Sequence, residues 1–371
     1  MMRNWEYTRI VRSLIWVILL LSGCATADSN SSMSSKTSTK TDFSQDRRGE
    51  IGVLIHEIYS PEAGVHGLKI THIITGSPAE KSGLQVGDII LRMNGIRVVN
   101  RQRIAKELAT PRPGDQIRIQ YFRDSKEIAT VVNLADRMKV YLRAAEADDA
   151  YAQMGLGEIY RRGYGISKDE EEADKWYRKA VEQFHRVAEL GDLDAQNSLG
   201  VIYENGRGVK KDEPEAVKWY RKAAEQGYVD AQHNLGRMYF NGFGLERDDS
   251  EAVKWYRKAA DQGDSDSQGS LGWMYLNGRG VEKDETEALK WYRIAANQGN
   301  DEAQFFVGLM YFEGKGVAKD QIEAYKWFTL AASQGNENAR RNMLISQQLM
   351  SREQIARAEE EAKIWAEKNN Y

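Results

Sequence analysis

The segment KDEPEAVKWYRKAAEQG, Lys211 to Gly227, returns as RDDSEAVKWYRKAADQG ending at Gly263, KDETEALKWYRIAANQG ending at Gly299 and KDQIEAYKWFTLAASQG ending at Gly335. A further copy, KDEEEADKWYRKAVEQ, starts at Lys168. The tryptophans at 219, 255, 291 and 327 stand 36 residues apart. A fixed period of this length means an array of small units. None of them can bury its own apolar face, so they stack into one continuous core.

Each unit reads as two helices. The first opens Ala-Gln-x-x-Leu-Gly-x-x-Tyr, as Ala195 to Tyr203 and Ala231 to Tyr239; Ser267 to Tyr275 has Ser in the first place, and Ala303 to Tyr311 has Val307 for Leu. Its apolar places fall at i, i+4 and i+8, one face of a helix. Gly-x-Gly then stops it, at Gly206/Gly208, Gly242/Gly244, Gly278/Gly280 and Gly314/Gly316. No strand precedes these glycines, so a helix stop explains them better than a phosphate loop does. The second helix starts Asp-x-x-Glu at Asp169, Asp212, Asp248, Asp284 and Asp320. That spacing predicts a capping box, in which Asp accepts the N3 amide and Glu reaches back to the cap's own N–H.

The first unit is irregular: Ala152 to Ala195 is 43 residues, and the excess falls in Gln183 to Leu190. Seven residues are about two helical turns, so the second helix is expected to lengthen without changing face. Val140 to Ala147 reads as a lone second helix upstream. Ala339 to Met350 supplies a last first helix, and Ser351 with Gln354 caps a charged helix ending near Asn369.

These motifs resemble the Sel1-like repeat, a relative of the tetratricopeptide repeat. The resemblance implies an all-α right-handed solenoid over residues 137–350, closed by a capping helix at 351–371. The Trp-Tyr pairs recur in every unit, which assigns them to the stacking core rather than to a ligand. Binding falls to places that vary: Met154/Glu158, Asn197/Val201, His233/Arg237, Gly269/Trp273 and Phe305/Leu309. Facing outward, Trp273, Phe305 and Leu309 form an apolar patch of the kind that anchors a partner. The alternative is that the terminal helices cover it.

Residues 47–136 change period. Ile51–Ile58, Gly67–Ile74, Asp88–Asn94, Gln116–Phe122 and Glu127–Leu134 are strand candidates. Ser77, Pro78 and Gly83 mark a short helix as cap, first position and stop. Asn100 caps a second helix, Arg101 to Ala109, with Ile104 and Leu108 on one face.

Gly76-Ser-Pro-Ala-Glu-Lys-Ser-Gly-Leu84, Val86-Gly-Asp-Ile-Ile-Leu91 and Asn94-Gly95 resemble a PDZ domain of the bacterial HtrA type. The resemblance implies a small, mostly-β domain with two helices that holds a partner's terminal carboxylate on backbone N–H groups while the peptide adds a strand to a sheet edge. The corresponding loop is Arg48-Gly49-Glu50-Ile51-Gly52-Val53, with glycines that let consecutive N–H groups face one anion. Arg48 adds charge assistance. Arg101, Ile104 and Leu108 line the groove by the same resemblance, although Leu108 equally suits the core. HtrA-type PDZ domains follow a serine protease domain; only a signal and a tether precede this one, so a protease reading is not expected.

Arg3, Arg9 and Arg12 precede the apolar run Leu14 to Leu21, then Ser22-Gly23-Cys24. This is the pattern of a secretory signal, too short to span a bilayer. Leu21-Ser22-Gly23-Cys24 also resembles the bacterial lipobox, which implies lipidation of Cys24, the chain's single cysteine, at the end of a signal covering residues 1–24. An ordinary cleaved signal with an incidental cysteine is the alternative. Ala25 after it implies, by the same resemblance, the outer membrane facing the periplasm. Residues 25–46 are Ser/Thr-rich, a disordered tether with a reach of roughly 25 Å.

A formal net charge of −3 opposes electrostatically driven nucleic-acid binding. No cofactor or metal is expected, since the five histidines show no ligand spacing. The expectation is a non-enzymatic, membrane-tethered adaptor: the PDZ domain takes a partner's free C-terminus or an extended peptide, and the solenoid takes a second protein. A cell-envelope hydrolase and a peptidoglycan-binding structural protein are the alternatives.

Overall fold

The computed structural model describes residues 49–50, 53–60, 65–98, 115–124, 126–133, 135–163 and 166–369. The described chain falls into two compact units, one up to Asp212 and one from Glu213 on. None of its described helices is long and apolar enough to cross a membrane. The signal, Cys24 and the tether lie outside the described residues.

The first unit begins with β1 (Gly49–Glu50), β2 (Val53–Ser60), β3 (Val65–Ile73), helix α1 (Pro78–Lys81), β4 (Ile89–Met93), β5 (Ile96–Arg97), β6 (Gln116–Arg123), β7 (Lys126–Asn133) and β8 (Ala135–Asp136). One antiparallel sheet runs β2-β3-β4-β6-β7, with β5 paired to β4. Alternation drives it: Leu68 and Ile70 of β3, and Ile117, Ile119 and Tyr121 of β6, point to the same core as Ile90 and Met93. Ser77 caps α1, its hydroxyl accepting from the Glu80 amide at 3.3 Å. Asn94 and Gly95, at φ 51° and 83°, make the tight turn between β4 and β5 that only such residues enter cheaply. The Val-Gly-Asp stretch has a structural cause. Asp88, buried, accepts from Arg123 Nη2 at 2.6 Å and from the Gln85 amide at 2.8 Å.

Helices follow as predicted. Helix α2 (Arg137–Glu146) is the lone second helix. Helices α3 (Ala150–Arg162), α4 (Glu170–Glu189) and α5 (Leu193–Asn205) complete the first unit. The lengthened α4 has 20 residues where its counterparts have 13. The second unit holds α6 (Glu213–Glu225), α7 (Val229–Asn241), α8 (Asp249–Asp261), α9 (Ser265–Asn277), α10 (Glu285–Asn297), α11 (Asp301–Glu313), α12 (Gln321–Ser333), α13 (Glu337–Gln347) and α14 (Arg352–Asn369).

The repeated residues have separable jobs. In four repeats the Gly of the first helix, at 157, 236, 272 and 308, seats an aromatic ring of the second: a Cβ on Gly272 would meet Tyr292 at 2.8 Å, and one on Gly308 would meet Phe328 at 2.7 Å. Tyr177, Tyr220, Tyr256, Tyr292 and Phe328 are buried accordingly. Their Trp neighbours are buried too, except the half-buried Trp255. Lysines cover several of them, with Lys222 Nζ 4.0 Å from the Trp219 ring centre and Lys258 Nζ 3.8 Å from that of Trp255. The Gln of Ala-Gln is an inter-helix clamp. Gln304 Nε2 donates to the Ala296 carbonyl at 3.1 Å, and its Oε1 accepts from Gln334 Nε2 at 2.8 Å.

The capping box forms only by half. Asp169, Asp248, Asp284 and Asp320 accept the N3 amide. Their own N–H groups, however, donate to the carbonyls of Tyr160, Tyr239, Tyr275 and Tyr311. Each Glu instead pairs with the Lys three residues on, as Glu251 does with Lys254. The short Gly-x-Gly loop brings the preceding Tyr carbonyl to the cap first, which leaves the Glu to the surface. The reciprocal box appears at α14, where no such loop precedes it: Gln354 N donates to Ser351 Oγ at 3.3 Å, and Ser351 N to Gln354 Oε1 at 2.9 Å.

Candidate functional site

Of the predicted carboxylate loop, Gly49 and Glu50 form β1, whose partners in β8 are Asp136 and Ala135. Val53 opens β2. Arg48, Ile51 and Gly52 lie outside the described residues, as do Arg101, Ile104 and Leu108 of the predicted groove helix. What the backbone does give is the position of β2. It terminates the sheet order, and among the described residues it pairs only with β3, from Val53↔Ile73 to Ser60↔Val65 with a register shift between Leu54 and Ile55. A terminal strand carries a row of backbone donors and acceptors that another extended chain can use.

Behind this edge lies a joint between the sheet and the first repeat that the sequence reading missed. Ile74, fully buried, joins Val140, Tyr141 and Ala144 of α2 and Ala152 and Leu156 of α3 in one apolar cluster. Asp149, the N-cap of α3, accepts from the Ala152 amide at 2.9 Å through Oδ1. Its Oδ2 meets His72 Nε2 at 3.1 Å and the Thr75 amide at 3.3 Å. Burial pushes the Asp149 carboxyl up, but the His72 contact and the two amides prevail and hold it below the usual carboxylate range. The His72 ring lies 4.1 Å from Tyr151, which in turn meets Phe184 edge-on at 4.8 Å. Two sequence signals pointed here. Tyr151 stands where the other repeats have Asp194, Asp230, Asp266 and Glu302, and Phe184 belongs to the seven extra residues of α4.

The variable row of the repeats divides. Glu158 is buried, held by Arg161 and Arg162, by the Tyr177 hydroxyl at 2.7 Å and by Arg207 Nη2 at 3.8 Å. Burial raises its pKa, but the Arg207 charge and the bonds from Arg161 and Tyr177 bring it down to about 2. Met154, Val201 and Arg237 are buried as well. His233 is committed between repeats: Nδ1 lies 2.9 Å from Ser267 Oγ and 3.4 Å from Asp264 Oδ1. Burial lowers the His233 pKa, and the hydrogen bond to Asp264 more than reverses that. Trp273, Phe305 and Leu309 are half-buried and rest against the core of the last repeats. Phe240 meets Trp273 edge-on at 5.4 Å. A Cβ on Gly269, one turn before Trp273, would meet nothing within 4 Å, so the row has a notch beside the indole. Arg279 and Arg247 both lie over the Phe240 ring, at 5.8 and 5.6 Å, and both pair with Asp249.

Comparison with known proteins agrees with the two architectures. A PDZ domain model matches residues 45–134, and a Sel1 repeat model matches residues 150–183, 193–228, 229–264, 265–300 and 301–336. A do/HhoA-like periplasmic serine protease of Haemophilus influenzae is 34% identical over 91 residues, 23% of this chain and 20% of that protein. A DegP-like periplasmic serine endoprotease of Pseudomonas putida is 31% identical over 116 residues, 30% of this chain and 22% of that protein. The chain therefore spans about a fifth of the length of these curated relatives. Among solved structures, a protective antigen of uropathogenic Escherichia coli strains displaying an SLR fold is 38% identical, with a TM-score of 0.47, covering 62% of this chain and 48% of that one. A Sel1 repeat protein from Oxalobacter formigenes is 37% identical, with a TM-score of 0.42, covering 54% and 79%. The chain thus contains a PDZ domain followed by five Sel1 repeats, the composition of a protein-interaction module.

Proposed function

We propose that this protein is a non-enzymatic adaptor of the bacterial cell envelope that holds two protein partners at once. The PDZ domain takes a free C-terminus or an extended peptide, which adds to β2 as a further strand with its carboxylate at the loop of residues 48–53. The observation that carries this reading is the position of β2 at the end of the sheet order, with β3 its single strand partner among the described residues. The PDZ resemblance assigns the groove's other wall to Arg101, Ile104 and Leu108, of which Leu108 equally suits the core. A second protein engages the repeats around Trp273, Phe305 and Leu309; His233 and Arg237, expected to share that surface, are instead taken up by Asp264 and Ser267 and by burial. Half-buried aromatics beside an open notch fit an anchor pocket, since a partner side chain gains contact there without displacing the core.

The relatives and the N-terminus together support this location. The proteins that share the PDZ part are named as periplasmic. Lipidation at Cys24 would tether the chain to the membrane, with the outer membrane's periplasmic face as the expected site. Two modest affinities on one chain reinforce each other through effective concentration, so neither surface needs to be strong alone.

The repeat half of the proposal is tested by Trp273→Ala, with crosslinking in native envelopes as the readout. Loss of one crosslinked partner at an unchanged melting temperature supports the pocket. A large fall in melting temperature assigns Trp273 to the core and removes the second surface.

A further inference from the structure

We propose that the peptide edge of the PDZ domain is set by the first repeat, and that Asp149 is a positioning residue for it, acting through β3. The inference rests on the PDZ reading above and adds what holds the edge in place. Strand β3 is the only described neighbour of β2, and His72 stands directly opposite Leu54 at the end of β2 where a peptide's carboxylate would lie. Just past that point β3 is pinned. His72 Nε2 and the Thr75 amide converge on Asp149 Oδ2, at 3.1 and 3.3 Å, and Ile74 is sunk between α2 and α3. The other flank of the loop is fastened to α2. Strand β1 pairs with β8 and lies against α2, whose first residue, Arg137, directly follows β8. Of the strands that bracket residues 51–52, β1 thus rests on α2, and β2 is held through β3 by α2 and the first repeat.

The first repeat departs from its copies just where this joint needs it to. Tyr151 replaces an acidic residue and offers a ring to His72, and the extra turns of α4 bring Phe184 behind Tyr151. A repeat that served stacking alone would need neither. A strand's register decides which face each side chain occupies, so holding the end of β3 also holds β2. A pre-set edge binds more tightly because ordering it costs less on binding. By thermodynamic reciprocity, a peptide on β2 must strengthen the joint by the factor that the joint strengthens the peptide.

Two substitutions in the full chain separate the joint from folding. Asp149→Ser keeps an N-cap for the Ala152 amide but removes the second oxygen that takes His72 and Thr75. His72→Phe keeps a ring on Tyr151 and removes Nε2. The probe is a fluorescein-labelled heptapeptide selected on the wild-type chain from a random library with free C-termini, and its carboxamide. Both variants are expected to weaken the free-acid peptide about tenfold. Hydrogen exchange should rise in residues 53–60 and stay unchanged in residues 116–133. In the wild type, bound peptide should slow exchange at the start of α3, and in Asp149→Ser it should not. If the wild type prefers the acid and both variants bind it as tightly, the inference is overturned and the PDZ reading stands. If the wild type holds acid and carboxamide equally, capture of a terminal carboxylate fails, and unchanged affinity in both variants would still overturn the inference.

Discussion

Glu158 takes the row position that holds Val201, Arg237, Trp273 and Leu309 in the other repeats, and it alone is a buried carboxylate among arginines. A buried charge of this kind costs little while paired and a great deal once its partner is removed. Glu158→Gln leaves Arg207, itself 9% exposed, facing a neutral amide, and should cost about 3 kcal/mol at pH 7. The pH dependence follows from a folded-state pKa lowered from the ordinary 4.5 to about 2. Such a group stabilises fully above about pH 4.5, and its contribution disappears as the pH falls towards 2. Urea unfolding of both proteins at pH 7 and pH 2.5 checks this: the gap should be wide at pH 7 and narrow in acid. Residue type at this position was visible in the sequence, but its role was not. A single Glu in a variable row reads as surface until Arg161, Tyr177 and Arg207, from three different segments, are seen to converge on it.

At the scale of the element, periodicity carried most of the fold. Caps, stops and the aromatic core were legible because each recurs at one phase, and the lengthened α4 was legible as a seven-residue surplus. What the pattern hid was division of labour inside a motif. In Gly-x-Gly the first glycine is a left-handed stop, as at Gly278 with φ 62°. The second is a close approach between repeats: a Cβ on Gly280 would sit 2.2 Å from the Asp249 carbonyl oxygen, whereas one on Gly278 has its nearest atom, Lys283 Cβ, at 3.2 Å. Both substitutions incur the left-handed backbone penalty, but only Gly280→Ala also forces two repeats apart. Gly278→Ala should cost about 1 kcal/mol and Gly280→Ala about 3 kcal/mol in thermal or urea unfolding. Equal costs would mean that the repeats slide past each other freely at this point. The half-formed capping box belongs to the same lesson. The Asp-x-x-Glu spacing does mark a helix start, yet the Tyr carbonyl of the preceding helix, invisible to a local motif, takes the cap N–H in place of the Glu.

For the whole molecule, the sequence revealed two architectures and not the joint between them. His72 and Asp149 are 77 residues apart and neither lies in a motif, so only the folded chain brings them together. The PDZ domain was legible by resemblance, through Gly76 to Leu84 and Val86 to Leu91, and the structure adds that β2 stands at the sheet's end. Trp273, Phe305 and Leu309 are half-buried, less exposed than the outward-facing patch that the sequence suggested. Capture of a partner by its terminal carboxylate is decided by the full chain's affinity for one peptide in two forms. Fluorescence anisotropy with a free-acid peptide and its carboxamide should show the acid bound at least tenfold more tightly, because the amide has no anion for the loop's N–H groups. Equal affinity for the two forms would contradict the claim.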